Sequence, residues 1–130
     1  MAASSTSKMT VYRDPSCSCC GGWIAHLVDQ GFQPKEIATL NMDTLKQQHG
    51  VPNDLASCHT AVIQGYVIEG HVPAEDIKRL LAQHPKVAGI AVPGMPVGTP
   101  GMENGDQREP FTVFSFDKQG NARAFNQYTF

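Results

Sequence analysis

The spacing of apolar residues in the first part of the chain predicts a strand followed by a helix. Residues 9–13 have the composition of a strand, and from Trp23 onward apolar residues recur at the spacing of one helix face, until Gly31 marks a stop. We expect this helix to bury Trp23, Ile24, Leu27 and Val28.

The alternation of elements continues through the middle of the chain. Residues 33–40 are a strand candidate, with Leu40 among the apolar positions, and Asn41 or Asp43 can cap a short helix over residues 44–49.

A hairpin follows, in which apolar residues 61–63 and 66–68 flank a turn at residues 64–65. Pro73 suits the first turn of a third helix. The buried face of that helix is predicted to consist of Ile77, Leu80 and Leu81.

This order of elements indicates an α/β domain. Strand, helix, strand, helix, hairpin, helix is the thioredoxin-like order (β-α-β-α-β-β-α), and the C-x-x-C spacing from Cys17 to Cys20 strengthens that interpretation. A right-handed crossover would make the first two strands parallel. We therefore predict a thioredoxin-like core over residues 9–86, preceded over residues 1–8 by a flexible polar lead-in or an expression remnant.

Residues 87–130 differ from this core in composition. Residues 87–109 are dense in Pro and Gly, and a loop this long in a compact domain usually has a function or is disordered. Residues 111–116 and 122–128 alternate as a second hairpin. We expect a C-terminal extension, a loop plus a β-hairpin, that packs on the same domain and adds to the sheet or covers one edge of it.

Length and charge narrow the classes of function. A chain of 130 residues can form one hydrophobic core without disulfides, and a formal net charge of −2 gives no electrostatic reason to bind nucleic acid or an anionic membrane. No stretch is long and apolar enough to span a bilayer. We expect a monomer with no nucleic-acid or membrane partner.

Three of the four cysteines lie between Cys17 and Cys20, where the first strand turns into the first helix. A helix N-terminus favours thiolate over thiol, and thiolate is both a nucleophile and a soft metal ligand. Clustered cysteines do not close loops as a disulfide scaffold would. The cluster therefore predicts redox chemistry or metal binding.

The fourth cysteine, Cys58, precedes His59 in the loop that enters the third strand. In a thioredoxin-like fold this loop lies against the cysteine turn, and thioredoxins carry a cis-proline there. A thiol and an imidazole replace that proline here, although a buried apolar cysteine and a surface histidine are the simpler alternatives. We expect Cys58 to meet Cys17, Cys19 and Cys20 in space, with His59 beside them.

The types of donor atom select among metals. Thiolates and thioethers select copper(I), zinc or iron–sulfur clusters, and four cysteines with a histidine also fit tetrahedral zinc. Met95 and Met102 lie in the Pro/Gly loop, which could fold over the site, and methionine is a poor zinc ligand. Either methionine could instead pack beneath the loop. We predict copper, with zinc as the second choice, and adjacent cysteines permit a multinuclear cluster.

The other histidines have simpler interpretations. His71 is a candidate ligand, or equally a helix cap. We expect His26 and His49 on the solvent sides of their helices, and the helix dipole accounts for His84 at a helix C-terminus.

Four ordered motifs resemble those of a known family. They are Asp14-Pro15-Ser16-Cys17-x-Cys19-Cys20-Gly21-x-Trp23, residues 55–60, residues 65–77 and residues 92–103. Together they resemble the CopG-like family, small proteins of Gram-negative bacteria that are associated with copper resistance and were long catalogued as a domain of unknown function. The resemblance runs from Thr10 to about Phe116.

The resemblance implies a thioredoxin-like domain whose extension contributes to a copper site next to the C-x-C-C turn, and a role in handling copper(I) and copper(II) during detoxification. It also implies a periplasmic location, although residues 1–8 lack the export signal that such proteins usually carry, and partners among periplasmic copper export or electron-transfer proteins. The expected metal ligands are Cys17, Cys19, Cys20, Cys58, His59, His71, Met95 and Met102.

Three functions stay open. The first is a copper-binding, redox-active protein that interconverts copper(I) and copper(II), with a Cys17–Cys20 disulfide as an electron store. The second is an ordinary thiol–disulfide oxidoreductase, in which Cys17 attacks and Cys20 resolves; Cys19 and the missing proline argue against it. The third is a passive copper or zinc store or chaperone. Whether the protein is an enzyme is left open.

Overall fold

The computed structural model describes residues 8–15, 20–52, 55, 59–93 and 109–129. These residues form seven strands and three helices. In chain order they are β1 (Lys8–Arg13), α1 (Cys20–Asp29), β2 (Gln33–Ala38), α2 (Met42–Gln48), β3 (His59–Ile63), β4 (Tyr66–Glu69), α3 (Ala74–Gln83), β5 (Gly89–Ala91), β6 (Phe111–Phe116) and β7 (Ala122–Tyr128).

All seven strands belong to one mixed sheet with the order β2-β1-β3-β4-β5-β6-β7. Strand β1 is parallel to β2, and β4 is parallel to β5; every other neighbouring pair is antiparallel. The sheet continues from β4 through β5 into the C-terminal hairpin, so of the two arrangements expected from the sequence the hairpin adopts the one in which it adds to the sheet.

The register brings several strand termini to one end of the sheet. Arg13 at the end of β1 pairs with His59, the first residue of β3, and Thr60 pairs with Glu69 at the end of β4. Glu69 in turn pairs with Ala91 at the end of β5. We call this end of the sheet the His59 end.

The two faces of the sheet carry separate apolar clusters. Helices α1 and α3 cover the larger cluster, to which they contribute Trp23 and Leu27, and Ile77 and Leu80, all fully buried. The smaller cluster lies on the opposite face, which is also the face reached by Lys46 of α2. Its buried members are Val51, Leu55, Val67, Ala91 and Phe116.

The structure confirms both predicted hairpins and the parallel pairing of the first two strands. The prediction of a buried side chain is wrong for two residues. Leu40 is 83% exposed because β2 ends at Ala38, and Val28 is 57% exposed. Since Val28 lies about 100° around the helix from Leu27, the buried stripe of α1 is narrower than the sequence suggested.

The region predicted as an uninterrupted loop after residue 86 contains strand β5. Its sequence, Gly-Ile-Ala, lacks a strand signal, but Gly89 allows the backbone to approach β4 closely. A Cβ atom on Gly89 would lie only 2.0 Å from the carbonyl oxygen of Val67. Close approach of the two backbones therefore decides the conformation here.

The second helix begins at Met42, two residues earlier than predicted. Asn41 occupies its N-cap position, but the Asn41 side chain makes no capping hydrogen bond. No helix of the described residues is both long and apolar enough to cross a bilayer.

Candidate metal site

Helix α1 starts at Cys20, at the His59 end of the sheet. The amphipathic pattern fixes its orientation because Trp23 and Leu27 are both fully buried against the sheet. The first turn of α1 contains no acidic residue. The partial positive charge at the helix N-terminus is therefore not offset within that turn, which favours a thiolate there.

The His59 side chain is fully buried at the start of β3. Its ring lies against the indole of Trp23, with 4.2 Å between ring centroids, and approaches the ring of His71 edge-on, with 5.0 Å between centroids. The Nε2 atom of His59 is 2.8 Å from the carbonyl oxygen of Gly70. Three neighbours thus fix the orientation of this imidazole.

The hydrogen bond to Gly70 also decides the tautomer of His59. A carbonyl oxygen only accepts, so Nε2 carries the proton and Nδ1 keeps the lone pair. Such a bond from the second ring nitrogen to a backbone carbonyl is typical of metal-ligating histidines.

Burial, the largest cause, and the neighbouring His71 together lower the pKa of His59 to about 3, against the opposing effect of the Gly70 hydrogen bond. The imidazole is therefore neutral at pH 7, the state that a metal ligand requires.

His71 follows β4 and is also fully buried. The sequence left it open whether His71 binds metal or caps a helix. In the structure, the first amide of α3 is capped by another residue: the N–H of Ala74 donates to Nε2 of His26, at 3.1 Å. His26 is half-buried, so the prediction that it faces solvent is wrong.

A second bond from α1 reaches the same segment. The indole Nε1–H of Trp23 donates to the carbonyl oxygen of Val72, at 2.8 Å. Sequence reasoning treated Trp23 as core alone and missed this polar role. Trp23 and His26 are three residues apart and so lie on one face of the helix, but this spacing does not reveal the distant backbone groups that they bond.

The opposite face of the sheet carries a buried polar cluster next to these histidines. Glu69 is fully buried, accepts a hydrogen bond from the Thr60 hydroxyl at 2.5 Å, and pairs with the ammonium of Lys46. Lys46 also donates to the Thr60 hydroxyl, at 3.0 Å. Because Thr60 follows His59 and Glu69 precedes Gly70 in the chain, this cluster holds together the two strand ends that carry His59 and its acceptor.

Several predicted ligands lie outside the described residues, and the structure does not place them. They are Cys17, Cys19, Cys58, Met95 and Met102, and for Cys20 the side chain. Within the described part of the chain, no group of three or more histidine, cysteine, aspartate or glutamate side chains is close enough to hold a metal ion. Of the predicted ligands, the structure brings together His59 and His71.

The donor set is compatible with a soft metal. A neutral, buried imidazole with its proton on Nε2 suits copper or zinc, and cysteine thiolates suit the same ions. The fit therefore rests on the tautomer and burial of His59 together with the types of the neighbouring residues in the sequence.

Comparison with known proteins identifies relatives of this chain. Residues 55–102 match the family described as "Protein of unknown function, DUF411". Copper resistance protein copG, Form 1, is a solved structure that is 43% identical, with a TM-score of 0.88 over 93% of this chain and 96% of the other. Form 2 of the same protein is 43% identical, with a TM-score of 0.89 over 94% and 98%. No curated protein sequence matches.

The identity and the nearly complete coverage of both chains decide the assignment, and they confirm the resemblance carried by the four sequence motifs. This chain is a member of the CopG-like copper-resistance family.

Proposed function

We propose that this protein binds copper at the His59 end of its sheet and acts in bacterial copper resistance. The observation that carries the proposal is the pair of buried imidazoles, His59 and His71, beside the helix that begins at Cys20. The relatives are copper resistance proteins by name. The sequence supplies soft donors next to these imidazoles, which favours copper over harder ions.

The proposed site combines donors from four segments of the chain. The thiolates are strong donors, His59 contributes its Nδ1 lone pair, and the methionines are weaker thioether donors that favour copper(I) over zinc. Adjacent cysteines allow more than one copper ion. The full ligand set is Cys17, Cys19, Cys20, Cys58, His59, His71, Met95 and Met102.

We further propose that the site is redox-active. Oxidation of two copper(I) ions to copper(II) releases two electrons, and one Cys17–Cys20 disulfide takes up two electrons and two protons to give two thiols. The cysteine pair can thus store the electrons that two copper ions lose. Soft sulfur ligands favour copper(I), so oxidation of the thiols loosens the metal.

The proposed scaffold for this chemistry is a thioredoxin-like core over residues 9–86. The strand order β2-β1-β3-β4, with only β3 antiparallel to its neighbours, supports this interpretation. Residues 87–130 form the extension that carries the methionine loop. We place the protein in the periplasm, as a monomer, with copper export or electron-transfer proteins as partners.

Elemental analysis combined with absorption spectroscopy tests copper binding directly. We expect protein produced with copper to contain copper in preference to zinc, with one or more ions per chain, and protein produced without copper to take up copper(I). A chain that retains only zinc, or no metal, contradicts the proposal. A value of one copper ion excludes the multinuclear form.

An insulin-reduction assay distinguishes copper handling from an ordinary oxidoreductase. We expect metal-free protein to reduce insulin weakly, because Cys19 and the missing proline do not suit peptide exchange. Strong turnover without copper would support the oxidoreductase instead. A copper-loaded protein whose metal never changes oxidation state during thiol oxidation would support a passive store.

The methionines can be tested against a matched control. Met95→Leu and Met102→Leu are expected to weaken copper(I) binding more than zinc binding. Met42→Leu, in the buried first turn of α2, is expected to change neither. Equal loss of both metals in the loop variants would remove the reason to prefer copper.

A further inference from the structure

Resting on the copper function proposed above, we propose that Trp23 and His26 are positioning residues that hold His71 and His59 in place relative to helix α1. Neither residue is needed as a ligand for this role. Both belong to α1, three residues apart, and both bond the backbone that directly follows His71. We call these two residues the α1 clamp.

The clamp holds residues 72–74 through two hydrogen bonds. The α1 side chain donates in one of them and accepts in the other. Trp23 donates its indole N–H to the carbonyl oxygen of Val72, at 2.8 Å, whereas His26 accepts the amide N–H of Ala74 at Nε2, at 3.1 Å. Val72 and Ala74 are both buried, and the bond from Trp23 is buried whereas the bond to His26 is part-buried. The bond from Trp23 therefore restrains the backbone more strongly than a surface bond would.

The backbone before His71 is fixed as well. The amide of Gly70 donates to the carbonyl oxygen of His59 at 3.1 Å, and the amide of Val72 donates to the carbonyl oxygen of Gly70 at 2.9 Å. His71 is thus held on both sides, upstream by β3 and downstream by α1. A shift of α1 would have to move His71 with it.

Trp23 also controls the second imidazole. Its indole lies against the ring of His59, with centroids 4.2 Å apart and an angle of 30° between the planes. One side chain thereby limits the rotation of the His59 ring and anchors the segment after His71. Since binding sites require their ligands within about 0.5 Å of the productive position, such dual contact matters for metal affinity.

The clamp connects these imidazoles to the N-terminus of α1 through a rigid element. Helix α1 begins at Cys20, so Trp23 lies three residues, less than one turn, from its start. His26 takes part as a hydrogen-bond acceptor: its Nε2 lone pair faces the Ala74 amide, which places the proton on Nδ1. The helix therefore sets the position of both imidazoles relative to its own N-terminus.

Substitution of His26 in the full-length chain tests the clamp. In His26→Ala, we expect the affinity for copper(I), measured by competition with a chromophoric chelator, to fall by roughly 10–100-fold, the usual effect of losing an outer support of a metal site. We also expect a changed electron paramagnetic resonance spectrum for the copper(II)-loaded protein. The spectrum is the more telling readout, because a loss of stability alone would not alter it.

Two further variants make the result specific. His26→Gln can still accept the Ala74 amide through its side-chain oxygen, so we expect it to restore most of the affinity and the native spectrum. His49→Ala removes an imidazole at the end of α2, away from α1, and we expect it to behave as the unmodified protein. If His26→Ala does not fold, Trp23→Phe serves instead: it keeps a stacking ring, loses the donor to Val72, and is expected to lower copper affinity.

The outcomes separate the clamp from the function on which it rests. Unchanged affinity and spectrum in His26→Ala, no rescue by His26→Gln, or native copper binding by Trp23→Phe would each overturn the clamp while the unmodified protein still binds copper. Failure of the unmodified protein to bind copper would overturn both.

Discussion

The pKa of the His59 imidazole depends mainly on its burial. In water its ring would gain a proton as the pH falls below about 6.5, but in the fold it stays neutral because the charged form would be desolvated. Such a group makes folding depend on pH, since the unfolded chain binds a proton that the folded chain does not. The direction of the dependence follows from the lowered pKa.

We therefore expect the metal-free protein to lose stability as the pH falls from about 6.5 toward about 3. His59→Gln should flatten this dependence, because its amide can still donate to the Gly70 carbonyl yet does not titrate. Denaturant unfolding at several pH values measures the effect. An equally steep dependence in the variant would mean that other groups cause the acid sensitivity.

A second prediction at the scale of a single residue concerns the Glu69 carboxylate. It is fully buried and relies on Lys46 for its counter-charge. Lys46→Met removes that charge and leaves a buried anion, which typically costs about 3–5 kcal/mol in the free energy of unfolding. We expect the double variant Lys46→Met/Glu69→Gln to lose much less, and equal losses in both would show that the ion pair is not the cause.

Among the elements, α3 is held at its first turn by side chains from distant parts of the chain. Its first turn is held by His26 from α1 on one side and by β7 on the other, where the hydroxyl of Tyr128 donates to Asp76 at 2.5 Å and Asn126 donates to the same carboxylate at 2.8 Å. Burial raises the pKa of Asp76, whereas the bond from Tyr128 opposes that rise. The end of β7 thereby stabilises the charged form of a buried carboxylate.

Tyr128→Phe is expected to destabilise the protein by about 1–3 kcal/mol, the usual cost of leaving a buried polar group short of a partner. The loss should be larger at neutral pH than at acid pH, because the hydroxyl favours ionised Asp76 and matters less once Asp76 is protonated. Tyr66→Phe, which removes only a bond to the carbonyl oxygen of Pro85, is the control and should cost less. A loss that is independent of pH would contradict the assignment to Asp76.

The sequence allowed most elements to be predicted where periodicity is local. The alternation of residues 61–68 defines a hairpin whose turn needs no distant partner. Strand β5 could not be found this way, because Gly89 is informative only once β4 is known to lie against it. In the same way, the pairing of Lys46 with Glu69 spans 23 positions, and no local pattern predicts it.

The same distinction between local patterns and distant contacts applies to the residues of the candidate site. His59 was predicted from its neighbour Cys58 and from the order of elements, and the structure places it next to His71. The role of His26 was missed because helical spacing indicates which face a residue shares, but not that an amide of another helix will meet it there. The type of a residue predicts which chemistry its side chain can perform, whereas tertiary packing decides which group that side chain contacts.

At the scale of the whole molecule, one sheet joins the N-terminal strands to the C-terminal hairpin. Val113 of β6 belongs to the same buried cluster as Val11 of β1. A short strand, β5, connects the two halves through pairing with both β4 and β6. Parts that share a sheet and a core are expected to unfold together.

We therefore predict a single thermal transition for the metal-free chain. Amide hydrogen exchange followed by mass spectrometry should give the same free energy of opening for the most protected amides of β3 and of β6. If the C-terminal hairpin were a separate unit, β6 would exchange at a lower free energy, and circular dichroism would show an additional early transition.

The close contact between the rings of Trp23 and His59 has a practical consequence. The chain contains one tryptophan, and its indole lies against an imidazole at the proposed copper site. A copper ion bound by that imidazole would quench the emission of the indole by energy or electron transfer over a few ångströms. The fluorescence of Trp23 therefore allows metal uptake to be followed in real time on the unlabelled chain.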